Sequence, residues 1–275
     1  MKPLRLSIFM LLISALLAGC FALPGVPDVF YPTAPTLPPT TAPTEATSIP
    51  TEVTTAPTEA TTVPPTEQEH SALYIPDLSV EDVISYFREV CLDAEFATSG
   101  DPSYLQRWEE PIYYQINGDP TEQDLAVLLE FAAWLNTLEG FPGIFEAADT
   151  TAANLQFYFC DEQTMVERMG ENFYGADGGV TFWYIDNVIY KAIICYRTDI
   201  AQYTRNSVIL EEIYNGLGPV QDTDLREDSI IFSGFSEPQA LTEIDRLILQ
   251  LLYHPQMQCG MDAAQCEAVI RQLYY

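Results

Sequence analysis

The chain has 275 residues, with 11 Lys and Arg against 40 Asp and Glu and a formal charge of −29. Nucleic acid is excluded as a partner, because phosphate contacts need a basic face, and an anionic lipid surface would repel the chain. The acidity serves solubility or, as the sharper reading, cation binding.

Lys2 and Arg5 precede an apolar run from Leu6 to Leu17, and small residues follow. This is the pattern of an export signal, not of a fold element. The run is also shorter than the roughly 20 residues that a membrane-spanning helix needs. Leu17-Ala-Gly-Cys20 resembles the bacterial lipobox. That resemblance implies removal of residues 1–19, lipid attachment at Cys20, and a place on the extracytoplasmic face of the cell membrane. Residues 20–70 are rich in Thr and Pro, and Pro-Thr-Glu recurs at Pro43, Pro50, Pro57 and Pro65. A segment this polar cannot bury enough surface to fold. Its prolines favour extended backbone of about 3.1 Å per residue, so a disordered stalk is expected, carrying a domain over residues 71–275.

Within that domain, Ser79-x-x-Asp82 has capping-box spacing, and Val80, Val83, Ile84, Phe87 and Val90 recur at helical intervals. Residues 111–116 read as a strand closed by Asn117-Gly118. Thr121-x-x-Asp124 opens a helix that runs to near Gly140, residues 155–160 form a second strand, and a short helix surrounds Met165. Gly178-Gly179 introduces residues 180–185, which Asp186-Asn187 joins to residues 188–196 as a hairpin. Residues 201–216 are helical, a loop leads to Ser229-Ile-Ile-Phe232, Thr242-x-x-Asp245 caps the next helix, and Asp262-x-x-Gln265 starts the last. The order predicts an α/β (α+β) fold, a twisted sheet packed by helices with three helices at the C-terminal end.

If Cys20 carries lipid, five cysteines remain, and an odd set leaves one thiol unpaired. Cys259 and Cys266 bracket a short turn and are the expected disulfide in an oxidising compartment. The frequent tyrosines should flank the core with their hydroxyls in water. The other use for such side chains is an aromatic groove for a peptide or glycan.

The segment from Glu211 to Asp222, together with Asp228-Ser-Ile-Ile-Phe232, Leu241-Thr-Glu-Ile-Asp245 and residues 252–261, resembles the bacterial family catalogued as domain of unknown function 2927. The same order is similar to a degenerate metzincin metallopeptidase, in which a helical His-Glu-x-x-His, a Gly turn bearing a third His, and a Met-turn build a zinc site. Alignment on Gly218 places Glu211, Asn215 and Gln221 at the three ligand positions and Glu212 at the general base, with Asp222 adjacent; a one-residue shift makes Glu211 the base.

Two side chains four apart on a helix share a face and can grip one ion. Here, however, all three His are missing, and oxygen ligands suit hard cations better than zinc. His70 ends the stalk, and His254 stands at a helix end as a solvated or capping residue. Glu211 and Glu212 are a carboxyl pair of the kind used in acid/base work, but neighbours on a helix point about 100° apart, and solvated helix charges are the commoner outcome.

No cofactor or metal is expected. The resemblance implies a metzincin-like domain without zinc chemistry, acting outside the cell as a binding or interaction module for an envelope protein, peptide or glycan. The other reading is a hydrolase that uses Glu212 with a hard metal or with none.

Overall fold

The computed structural model describes residues 71–92, 104–219, 221–234 and 236–274; the expected export signal, Cys20 and the Thr/Pro-rich segment lie outside them. Six strands form a mostly parallel sheet: Arg107–Trp108 (β1), Ile112–Gly118 (β2), Ile144–Glu146 (β3), Leu155–Cys160 (β4), Gly178–Ile185 (β5) and Val188–Arg197 (β6). Strands β3, β2, β4 and β6 lie side by side in parallel, and β5 closes the free edge of β6 in the antiparallel sense. Strand β1 pairs with the first two residues of β6, Arg107 beside Val188 and Trp108 beside Ile189.

The β5–β6 hairpin has a sequence cause. Asp186 and Asn187 both take positive φ, 51° and 66°, as a two-residue turn matched to strand twist requires, and Asp and Asn tolerate that region best among residues with a side chain.

Six α-helices pack on the sheet: Val80–Leu92 (α1), Glu122–Leu135 (α2), Glu162–Met169 (α3), Gln202–Asn215 (α4), Glu243–Leu252 (α5) and Ala263–Leu273 (α6). The boxes expected at Thr121, Thr242 and Asp262 all close, with each cap side chain accepting from the third helical N–H and the third side chain accepting from the cap N–H or, for Gln265, doing so through its amide oxygen. Ser79 and Asp82 make the same exchange ahead of α1. Each such cap stabilises its helix by about 1 kcal/mol. Among the described residues no helix is long and apolar enough to cross a membrane.

Helix α2 stops at Leu135 and does not continue to Gly140 as its periodicity suggests. Its cap residue Asn136 turns its side chain out to Ile144, donating to the carbonyl oxygen and accepting from the N–H. That exchange starts β3, a strand the sequence pattern does not announce. Strand β1 is likewise too short to carry a period of two.

Alternation along the strands sends Ile112, Tyr114, Leu155, Phe157, Phe159, Ala192, Ile194 and Tyr196 to one face, where they are buried in the main core with residues of α2 and α4. On the opposite face, among the described residues, only one end is covered. There Met165, Met169, Phe173 and Ala176, from α3 and the 3-10 turn Glu171–Phe173, form a second small core with Cys195. Toward the β3 edge none of the described residues covers the same face, and Tyr113 and Phe145 lie exposed with their rings 6.3 Å apart.

Several tyrosines are not where composition suggests. Tyr86, Tyr214 and Tyr253 are wholly buried, donating to Ser229 Oγ, the Asp245 carbonyl and the Leu217 carbonyl respectively. Long-range packing supplies each phenol with an acceptor, which is what makes burial of the hydroxyl tolerable.

Candidate functional site

Helix α4 follows β6 directly and is fixed at its start by Arg205. This buried guanidinium donates to Asp124 Oδ1 at 2.8 Å, to the carbonyls of Thr198 and Ile200, and to Gln202 Oε1. Burial opposes ionisation of Asp124, but the Arg205 guanidinium, Thr121 and the Gln202 amide together hold its carboxyl below the usual range. The pair therefore locks α4 to the first turn of α2.

The other end of α4 carries Glu211, Glu212 and Asn215. Glu212 is only 4% exposed and lies beneath the start of β5. A Cβ on Gly178 would stand 2.4 Å from Val208 Cγ1 and 3.1 Å from Glu212 Cγ. A bare glycine is thus what lets β5 approach α4 this closely. On the other face of the strand, a Cβ on Gly179 would meet Phe173 Cε1 at 2.4 Å. The Gly-Gly pair that announces the hairpin is a packing requirement on both sides of the sheet.

Beyond its cap at Gly216, the chain bends at Gly218 with φ +133°. A Cβ there would lie 2.5 Å from the Gln106 carbonyl oxygen, so the bend demands glycine. Past it, Gln221 and Asp222 are half-buried, and Asp222 lies in the field of Glu212. Burial, then the nearby carboxylates of Glu211 and Asp222, push the Glu212 carboxyl well above the usual carboxylate range.

Of the residues singled out by spacing, the structure brings Glu211 and Asp222 within electrostatic reach of Glu212. Asn215 is buried, and its Oδ1 has no hydrogen-bond partner among the described residues. Tyr196, also buried and under the field of Glu212, has a hydroxyl in the same condition. Among the described residues, no three His, Cys, Asp or Glu side chains converge as a set that could hold a metal ion. A carboxyl pushed toward its protonated form, sealed under a strand, is poorly placed to take a proton from water.

His254 follows the Tyr253 cap of α5, and its Nδ1 accepts the Gln256 N–H at 3.2 Å, a turn-stabilising role. The structure does not join Cys259 to Cys266. Cys259 is directed to the Arg107 carbonyl at 3.7 Å, while Cys266 is buried in the core on α6. The short spacing brings the two residues near in sequence, but α6 rotates Cys266 inward. Sequence reasoning missed the Arg205–Asp124 lock, because nothing local signals a partner on another helix.

Fold and site together define an α/β domain whose sheet ends in an antiparallel edge strand laid over a buried, carboxyl-bearing helix end. A family model described as protein of unknown function (DUF2927) matches residues 80–272, and the chain belongs to that family. No curated protein matches it.

Proposed function

We propose that the chain is a lipoprotein held at the extracytoplasmic membrane surface through Cys20, and that its DUF2927 domain is a binding module on a metzincin-like scaffold without zinc chemistry. The observation that carries the second part is the burial of Glu212. At the position where a metallopeptidase keeps its general base in an open cleft, this carboxyl lies under β5 and is pushed toward the neutral acid. The neighbouring ligand positions hold Glu211, Asn215 and Gln221, a donor set weak for zinc.

Support for the scaffold comes from the order of parts: α4 after the last parallel strand, a glycine bend at Gly218, and a buried Met257 between α5 and α6. A binding role suits the uncovered part of the sheet toward β3, where Tyr113 and Phe145 stand exposed. Mostly parallel sheets are ordinarily covered on both faces, so bare aromatic rings there offer a platform for a peptide or a glycan.

Metal analysis of the purified domain, combined with a peptidase assay with and without chelator, tests the reading. The expected result is no stoichiometric zinc and no chelator-sensitive cleavage. One equivalent of zinc, or cleavage abolished by Glu212→Gln, would make the protein a hydrolase using Glu212.

A further inference from the structure

Alternation along β2, β3 and β4 sends six residues to the sheet face that none of the described residues covers toward β3: Tyr113, Gln115 and Asn117 on β2, Phe145 on β3, and Gln156 and Tyr158 on β4. The register sets Phe145 beside Tyr113, Gln156 beside Gln115, and Tyr158 beside Asn117. With strands about 4.8 Å apart and about 3.3 Å per residue, these side chains tile a surface about 10 Å across and about 13 Å long. Arg168 of α3 lies over the Tyr158 ring at 3.9 Å and closes the surface at that end. At the other, Tyr113 is 41% and Phe145 50% exposed, and their rings are tilted by 40°, so neither covers the face of its neighbour.

We propose that this face binds a neutral saccharide, with a sugar ring lying on Tyr113 and Phe145 and its hydroxyls meeting the amides of Gln115 and Gln156. The assignment rests on the binding-module reading and gives that module a ligand class. The face of an aromatic ring is the negative side of its quadrupole, which suits the C–H bonds of a sugar. Each amide both donates and accepts, as each sugar hydroxyl does. Asn117 Nδ2 donates to Gln156 Oε1 at 2.9 Å and to the Phe157 carbonyl, which fixes the Gln156 amide with its Nε2 group turned to other partners.

Other ligands fit less well. None of the six side chains is charged, and the chain's formal charge of −29 repels anions. A peptide added as a strand meets a blocked edge. The Ile112 N–H donates to the Gly143 carbonyl and the Ala147 N–H to the Tyr114 carbonyl, so Ile144 turns its own N–H and carbonyl away from β2. The Asn136 amide already occupies both.

The test titrates the purified full chain with the neutral tetrasaccharides of glucose, mannose and N-acetylglucosamine by isothermal calorimetry. At least one should bind, and Tyr113→Ala and Phe145→Ala should each weaken it about fivefold or more. Both rings are exposed, so the denaturation midpoints of these variants should stay at the wild-type value; Gln115→Ala should weaken binding without touching either ring. Tyr203→Ala, which removes an exposed ring from α4 on the other side of the sheet, should leave binding unchanged. Absence of binding with all three sugars, or equal binding by Tyr113→Ala and Phe145→Ala, would overturn the proposal. A peptide held by the same two rings, or self-association of the chain that Phe145→Ala abolishes, would overturn the saccharide assignment and leave a binding module in place, whereas zinc-dependent cleavage would remove the module reading itself.

Discussion

Asp124 and Glu212 are buried carboxyls on neighbouring helices that titrate in opposite directions. Asp124 is held below its ordinary value by its ion pair and hydrogen bonds, against the opposing effect of burial. It therefore contributes stability that is present above the unfolded value and lost as pH falls through the depressed folded one. Arg205→Ala leaves this carboxylate buried without its partner, and a loss of about 3–5 kcal/mol is expected in urea denaturation at neutral pH. Glu212 is the reverse: its folded-state proton affinity is raised, so its contribution is present below the unfolded value, 4.5, and is lost as pH rises through the folded value. Glu212→Gln keeps the shape and removes the ionisation. The variant should match or exceed the wild type in stability at pH 8, with a flatter pH dependence above pH 5. A variant less stable at pH 8 would mean that the ionised carboxylate holds a partner.

At the scale of elements, β5 is defined by the two glycines that begin it. Gly178→Ala drives a methyl group into Val208 and Glu212, and Gly179→Ala drives one into Phe173. Each should cost about 1–3 kcal/mol, read as a lower denaturation midpoint. The hairpin and the four helix starts are legible in the sequence because their causes are local: Asp186-Asn187 supplies the turn, and Ser79, Thr121, Thr242 and Asp262 supply the caps. Strands β1 and β3 are not legible, since Arg107–Trp108 and Ile144–Glu146 are strands only by virtue of the partners they meet in β6 and β2. The candidate site divides the same way. The spacing of Glu211, Glu212, Asn215 and Gly218 can be read along the chain, but the burial of Glu212 is decided by β5, which comes from elsewhere in the sequence.

For the whole molecule, the lipobox-like Leu17-Ala-Gly-Cys20 yields the most direct prediction. Cys20→Ala should move the protein from the membrane fraction to the medium, or leave it with an uncleaved signal; unchanged membrane fractionation would remove the basis for the anchor. Topology adds a constraint on timing. Strands β1, β4 and β5 all join β6, and Arg107 pairs with Val188 across a long stretch of intervening chain. Such long closures make a parallel sheet slow to assemble, because chain entropy is lost before the distant contacts form. A chain emerging end first from a ribosome or a translocation channel holds β1, β5 and the β3–β2–β4 group with no strand to unite them until Val188–Arg197 has appeared. The domain is therefore born late and all at once, and a chain interrupted within the hairpin is left with open strand edges exposed to other chains.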